Sequence, residues 1–263
     1  MNGLLSWRAR RQIAPLLLLI LVLGGIGFGY GRRLLPEASC FDNKRNQKEI
    51  GIDCGGPCQS CEAKNPRALE IFWARAARAS RDAYDAVALV ENPNEELSSA
   101  AVRYEFTLLD HLGVIGRKTG VTYIYPQERR YIIEPVSTRR EPVRVEFKIL
   151  GVEWRVLRPE TPQIVVEQRT HSVDEEDGKK QSVVEAVLLN AWALGLGEAA
   201  VDFIVFDEAG NVIGANTIAV ENLAAGERRS VRSIWPEPLA GTIGKIEVYP
   251  RANLFDLEII IKP

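Results

Sequence analysis

The sequence predicts a mainly β protein: two tandem immunoglobulin-like β-sandwiches with one N-terminal transmembrane helix. Three observations point there. The stretch IAPLLLLILVLGGIGFGY, residues 13–30, runs without a charge. Downstream, short segments alternate apolar and polar residues with the period of two that a half-buried strand requires. These segments recur at a spacing of about 100 residues, the length of one immunoglobulin-like sandwich.

The first element is the apolar run. At ~1.5 Å per residue, eighteen helical residues just cross a hydrocarbon layer of roughly 30 Å. Arg8, Arg10 and Arg11 precede it with no acidic residue among them, and such an excess of basic charge tends to hold that side in the cytoplasm. Residues 1–12 are therefore expected as a cytoplasmic tail, 13–30 as a membrane-spanning signal anchor, and the rest as extracytoplasmic. Arg32 and Arg33 weaken the charge asymmetry, although arginines beside a helix can reach back to the headgroups. A cleaved signal peptide fits less well, because the run exceeds the usual apolar length and GGIGFGYGRR offers no small-x-small site.

Residues 31–65 form a juxtamembrane segment that holds all four cysteines, Cys40, Cys54, Cys58 and Cys61. Outside the cytoplasm thiols oxidise, so an even count in a loop-rich segment reads as a disulfide framework with three possible pairings. A zinc site and a thiol redox centre are the weaker alternatives. Asp42, Asn43, Asn46, Glu49 and Asp53 could suit calcium, but the spacing is not that of an EF-hand, and turn formation explains them better.

The remaining residues carry an internal repeat. YEFTLLDHLGVIG from Tyr104 aligns with VDFIVFDEAGNVIG from Val201, placing Phe106 on Phe203, Asp110 on Asp207 and Gly116 on Gly214. PQERR at Pro126 aligns with AGERR at Ala225, and Asn92 with Asn190, each at the end of an apolar run. The expected domains are 66–158 and 159–263. Val102, Tyr104, Phe106 and Leu108 alternate with polar residues, as do Val143, Val145, Phe147 and Ile149. Residues 69–79 have helix-forming composition, but their counterpart in the second copy, QIVVEQRTHSV, is strand-like, so a strand is expected there too.

The strand ending in Asn, followed by FTLLD or FIVFD, a glycine turn and a later Glu-Arg element, resembles the FxLYD and late-embryogenesis-abundant-like domains of immunoglobulin type. The resemblance covers residues 82–135 and 184–236 and implies a noncatalytic β-sandwich at the envelope. CFDNKRNQKEIGIDCGGPCQSC is similar to a DCGGPC-type cysteine module of bacterial and archaeal surface proteins, with Asn43 where that module has glycine. This second likeness implies an extracellular cap or stalk element.

No catalytic constellation is legible. The chain has two histidines, His111 and His171, and lacks G-x-S-x-G, H-E-x-x-H, P-loop and G-x-G-x-x-G motifs. No catalytic residue, metal ligand or cofactor is expected. Setting aside Arg8, Arg10 and Arg11 from 33 basic residues leaves 30 against 35 acidic ones, a net of about −5, so nucleic-acid binding is not expected. Trp154 alternates into a buried position. Trp192, in a loop, is the aromatic expected to be exposed for binding, and Arg139 and Arg140 are the cations that could meet an anionic partner. The expected partners are the lipid bilayer through 13–30 and an envelope protein or glycan; the expected function is non-catalytic binding, adhesion or envelope assembly. Polysaccharide or small-ligand binding is the alternative, and a carboxylate-based hydrolase a more distant one.

Overall fold

A computed structural model describes residues 7–34, 39–157, 160–256 and 259–261. It divides into two compact units, Met1–Cys61 and Glu62–Pro263.

The first unit contains α1 (Trp7–Leu34) and the cysteine segment. In α1, Leu16 to Leu23, Ile26, Phe28 and Tyr30 are exposed. Among the described residues, whose side chains in this helix run from Pro15 to Gly31, no helix is long and apolar enough to cross a membrane. The expected span 13–30 is therefore not established by the structure. The cysteines pair as Cys40–Cys58 and Cys54–Cys61.

The short α2 (Cys61–Lys64) starts on the last residue of the first unit, and the second unit is β beyond it. Its first six strands are β1 (Glu70–Ser80), β2 (Ala83–Glu91), β3 (Leu97–Asp110), β4 (Gly113–Ile124), β5 (Arg129–Ser137) and β6 (Arg144–Val156). They make two antiparallel three-stranded sheets, β1-β2-β5 and β4-β3-β6. Tyr84, Ala86, Ala88 and Val90 of β2 meet Val102, Tyr104, Phe106 and Leu108 of β3 in one core between the sheets. Residues 70–80 are a strand, as the repeat predicted against propensity: paired to β2 at its edge, β1 gains ladder hydrogen bonds and packing that outweigh a helix preference of a few tenths of a kcal/mol per residue.

The later strands are β7 (Ile164–Glu176), β8 (Lys179–Asn190), β9 (Gly195–Asp207), β10 (Val212–Leu223), β11 (Arg228–Trp235), β12 (Ile243–Arg251) and β13 (Ile260–Ile261). They form the sheets β11-β8-β7 and β10-β9-β12, with β13 also paired to β9. Their shared core holds Val184, Ala186 and Leu188 of β8 against Val201, Phe203 and Val205 of β9. Phe106 and Phe203, aligned in the repeat, are both fully buried; truncating either to alanine removes a side chain whose loss from a core costs about 3 to 5 kcal/mol.

The duplication extends to individual hydrogen bonds. Asn92 Nδ2 donates to the carbonyls of Leu97 and Tyr125, and Asn190 Nδ2 donates to those of Leu194 and Leu223. Glu128 accepts from the Tyr125 amide and Glu227 from the Ala224 amide, each three residues back. Both asparagines are fully buried, where an unsatisfied amide would cost ~1–3 kcal/mol, so this residue type closes the same turn in both copies.

Two expectations of alternation need correction. Val143 lies before β6 and is exposed, while Trp154 is half-buried rather than enclosed. The β3–β6 pairing has a register shift between Arg103 and Tyr104, with Leu150 unpaired opposite it. One extra residue turns every side chain beyond it to the other face, so a single alternation does not run from Phe147 to Trp154.

Candidate functional site

The cysteine segment is a turn built of carboxylates and glycines. Asp53 accepts from the amides of Asp42 and Asn43, and Asp42 accepts from the Lys44 amide and the Asn46 side chain. Glu49, 4% exposed, accepts from the amides of Asn46 and Asp53. Gly56, at φ +62°, brings its Cα so near the Lys48 carbonyl that a Cβ would sit 2.5 Å from that oxygen, so only glycine fits. The sulfurs of Cys40 and Cys58 and a carboxylate oxygen of Glu49 lie within 4.8 Å of one another, but both sulfurs are joined to each other and are not the thiolates that bind zinc.

The largest concentration of buried polar chemistry lies in Glu62–Pro263, along a seam where the β1-β2-β5 sheet meets β9 and β10. Strands β2 and β9 are apolar on both faces. Ala86, Ala88 and Val90 point into one core while Val87 and Leu89 enter the seam; Val201, Phe203 and Val205 point into the other while Ile204 and Phe206 enter the seam. That accounts for the unbroken runs AVALV and FIVF, since a strand covered on two sides has no wet face. Trp73 meets Phe206 edge-on at 6.3 Å, and Tyr131 meets Tyr249 at 5.2 Å.

Polar groups close the seam's ends. The Tyr125 hydroxyl donates to the Ala252 carbonyl at 2.8 Å and accepts from the Leu254 amide at 2.7 Å. The Tyr131 hydroxyl donates to Glu247 at 2.7 Å; burial first, then this carboxylate, raises the phenol well above its ordinary pKa. The Arg75 guanidinium donates to the Gly210 carbonyl. Asp202, 1% exposed, is held by Arg251 at 2.7 and 3.2 Å and by the Thr217 hydroxyl at 2.7 Å. Burial alone would lower the Arg251 pKa, but the Asp202 carboxylate and then Tyr123 raise it, and the net shift is upward. Burial pushes Glu128 up against the pull of Arg130, and burial alone pushes Asp85, on the seam face of β2, to about 7.

The candidate binding residues fall apart from one another. Arg139 is exposed and paired with Asp82 at 2.9 Å, and Arg140 with Asp110 at 2.9 Å. Trp192 is not the open aromatic expected from its loop. It is half-buried: its backbone amide is captured by the Asn190 side chain at 3.1 Å, and its side chain packs against the cluster of Tyr123, Tyr125 and Leu254. Asp110 and Asp207 serve turns, each accepting backbone amides of the following residues, and hydrogen bonds from Asn211 hold Asp207 below the usual carboxylate range. His111 is an exposed turn residue, whereas His171 lies within β7, with Nε2 3.3 Å from the Ser182 hydroxyl. The seam residues Tyr125, Asp202 and Arg251 were not singled out from the sequence. The doubly apolar strands were the available signal for a seam, but not for its polar ends.

No family model matches the chain, and no curated protein matches it. Among solved structures, the chain is similar to red sea bream transglutaminase, with 13% identity over 72% of this chain and 30% of that one and a TM-score of 0.21. A likeness of that degree carries no argument about function.

Proposed function

We propose that the protein is a membrane-anchored extracytoplasmic protein in which tandem immunoglobulin-like sandwiches bind or assemble partners at the cell envelope without catalysis. The observation that carries this reading is the pairing of all four cysteines in disulfides, bonds that persist in oxidising compartments and are rare in the cytosol. Two further features support it. The apolar side chains of α1 from Leu16 to Tyr30 lie exposed, which suits lipid as their solvent, and the three arginines ahead of them favour a cytoplasmic N-terminus. The likeness of FTLLD and FIVFD to the FxLYD core, and of residues 40–61 to a surface-protein cysteine module, points to the same place.

Alkaline carbonate extraction combined with a membrane-impermeant protease on intact cells tests it. The chain should stay with the membrane, and the protease should remove the β unit from outside. Release by carbonate, protection from the protease, or four alkylatable thiols without reductant would each overturn the reading. The partner is then sought by capture on the full chain in detergent, assayed for both proteins and glycans.

A further inference from the structure

A cleft of about 270 Å³ opens where the end of β1 and the β5–β6 loop face the start of β10 and the β11–β12 loop. Its wall includes Arg78, Tyr84, Glu141, Pro142, Glu237 and Leu239. Tyr84 is 4% exposed, and its hydroxyl donates to no acceptor among the described residues. The Arg78 guanidinium lies over the Tyr84 ring, 4.9 Å from its centroid, and joins no ion pair among the described residues. Arginine only donates, so whatever its exact approach to the phenol, the Tyr84 proton still lacks an acceptor.

A buried hydroxyl left without an acceptor is destabilising. Arg78 and Tyr84, both in the wall of the cleft, are thus donors that no acceptor engages among the described residues. Glu141 and Glu237 line the same space and also join no ion pair among the described residues; acidic groups of this kind favour a cation. Pro142 and Leu239 give the cleft an apolar wall.

We propose that this cleft binds a small zwitterion of the amino acid or dipeptide class. Its carboxylate is taken by Arg78 and the Tyr84 hydroxyl, its ammonium by Glu141 and Glu237, and its aliphatic body by Pro142 and Leu239. The inference does not depend on the membrane or the oxidised compartment, because every residue in it belongs to Glu62–Pro263. It also differs from the expected sites at Trp192, Arg139 and Arg140, none of which lines this cleft.

Calorimetric titration of the full chain in detergent micelles with dialanine tests the proposal, with N-acetyl-dialanine and dialanine amide as probes that each lack one charge. Dialanine should bind saturably, and removing either charge should weaken it at least about tenfold, the loss expected when a charge-assisted hydrogen bond is removed. Arg78→Gln should produce a comparable loss. Tyr84→Phe keeps the buried ring and removes only the hydroxyl, so it should melt cooperatively at or above the temperature of the unmodified chain while weakening dialanine several-fold; a cooperative transition in both variants rules out misfolding. Absence of saturable dialanine binding to the unmodified chain overturns the proposal, as does binding that survives both Arg78→Gln and Tyr84→Phe.

Discussion

The Tyr125 hydroxyl donates to the Ala252 carbonyl across the seam, 127 residues away in sequence, and the Leu254 amide donates back to the same oxygen. Phe255 stacks on the Tyr125 ring at 5.6 Å. One side chain thus satisfies two backbone groups of the second set of strands from the edge of the first. Glu62–Pro263 is one compact unit on this account, although its strands form two separate cores.

Tyr125→Phe tests that coupling most directly. It leaves the Ala252 carbonyl and the Leu254 amide buried without partners, a loss of about 1–3 kcal/mol for a single buried group. Urea unfolding followed by fluorescence should show a lower midpoint, together with a broader or split transition in place of one cooperative step.

The Asp202–Arg251 pair should be far more sensitive than its surface counterparts. Asp202→Ala strands a largely buried guanidinium and should cost roughly 3–5 kcal/mol. The exposed pair Arg139–Asp82 should contribute less than about 1 kcal/mol. Denaturant midpoints of Asp202→Ala and Asp82→Ala, measured side by side, give the comparison.

Stability should fall as pH rises toward neutrality because of Asp85. Burial raises its folded pKa to about 7, whereas an unfolded aspartate titrates near 4. Between these values the folded state holds a proton that the unfolded state has released, so each step upward in pH favours unfolding until the folded group also ionises. Its contribution is full below about pH 4 and lost above about pH 7. Asp85→Asn should flatten the melting temperature across that window and raise it at pH 8.

Reduction should act locally. The Cys40–Cys58 and Cys54–Cys61 bridges enclose separations of 18 and 7 residues, which corresponds to about 2–3 kcal/mol of chain-entropy stabilisation each. Reductant should expose residues 40–61 to protease and free four thiols for alkylation. The thermal transition of the β unit should persist.

The strands were legible where one face is wet. Val102 to Leu108 alternate, and the structure buries the predicted four. The duplicated copy supplied what propensity denied for residues 69–79, which fold as β1 over Glu70–Ser80. Asp110 and Asp207 were readable as turn formers because aspartate reaches amides two residues on, a purely local bond. Trp192 was misjudged for the opposite reason: it packs against a cluster of Tyr123, Tyr125 and Leu254, all more than 60 positions away along the chain, and no nearby residue announces that contact. The seam's polar ends share this difficulty. Tyr125 and Arg251 look like ordinary strand-end residues until the long-range pairing brings Ala252 and Asp202 to them. Tyr84 and Arg78 were equally silent, since a missing acceptor is a property of the folded chain.

The separation of Tyr125 from the groups it binds also governs when the molecule can be finished. Closing loops of 127 and 129 residues carries an entropic penalty that must be met before those contacts return anything. During synthesis the N-proximal strands can collapse early, but Tyr125 waits, unsatisfied, until residue 254 has emerged. Slow maturation, with a late step that buries tyrosine fluorescence, is the kinetic signature such wiring should leave.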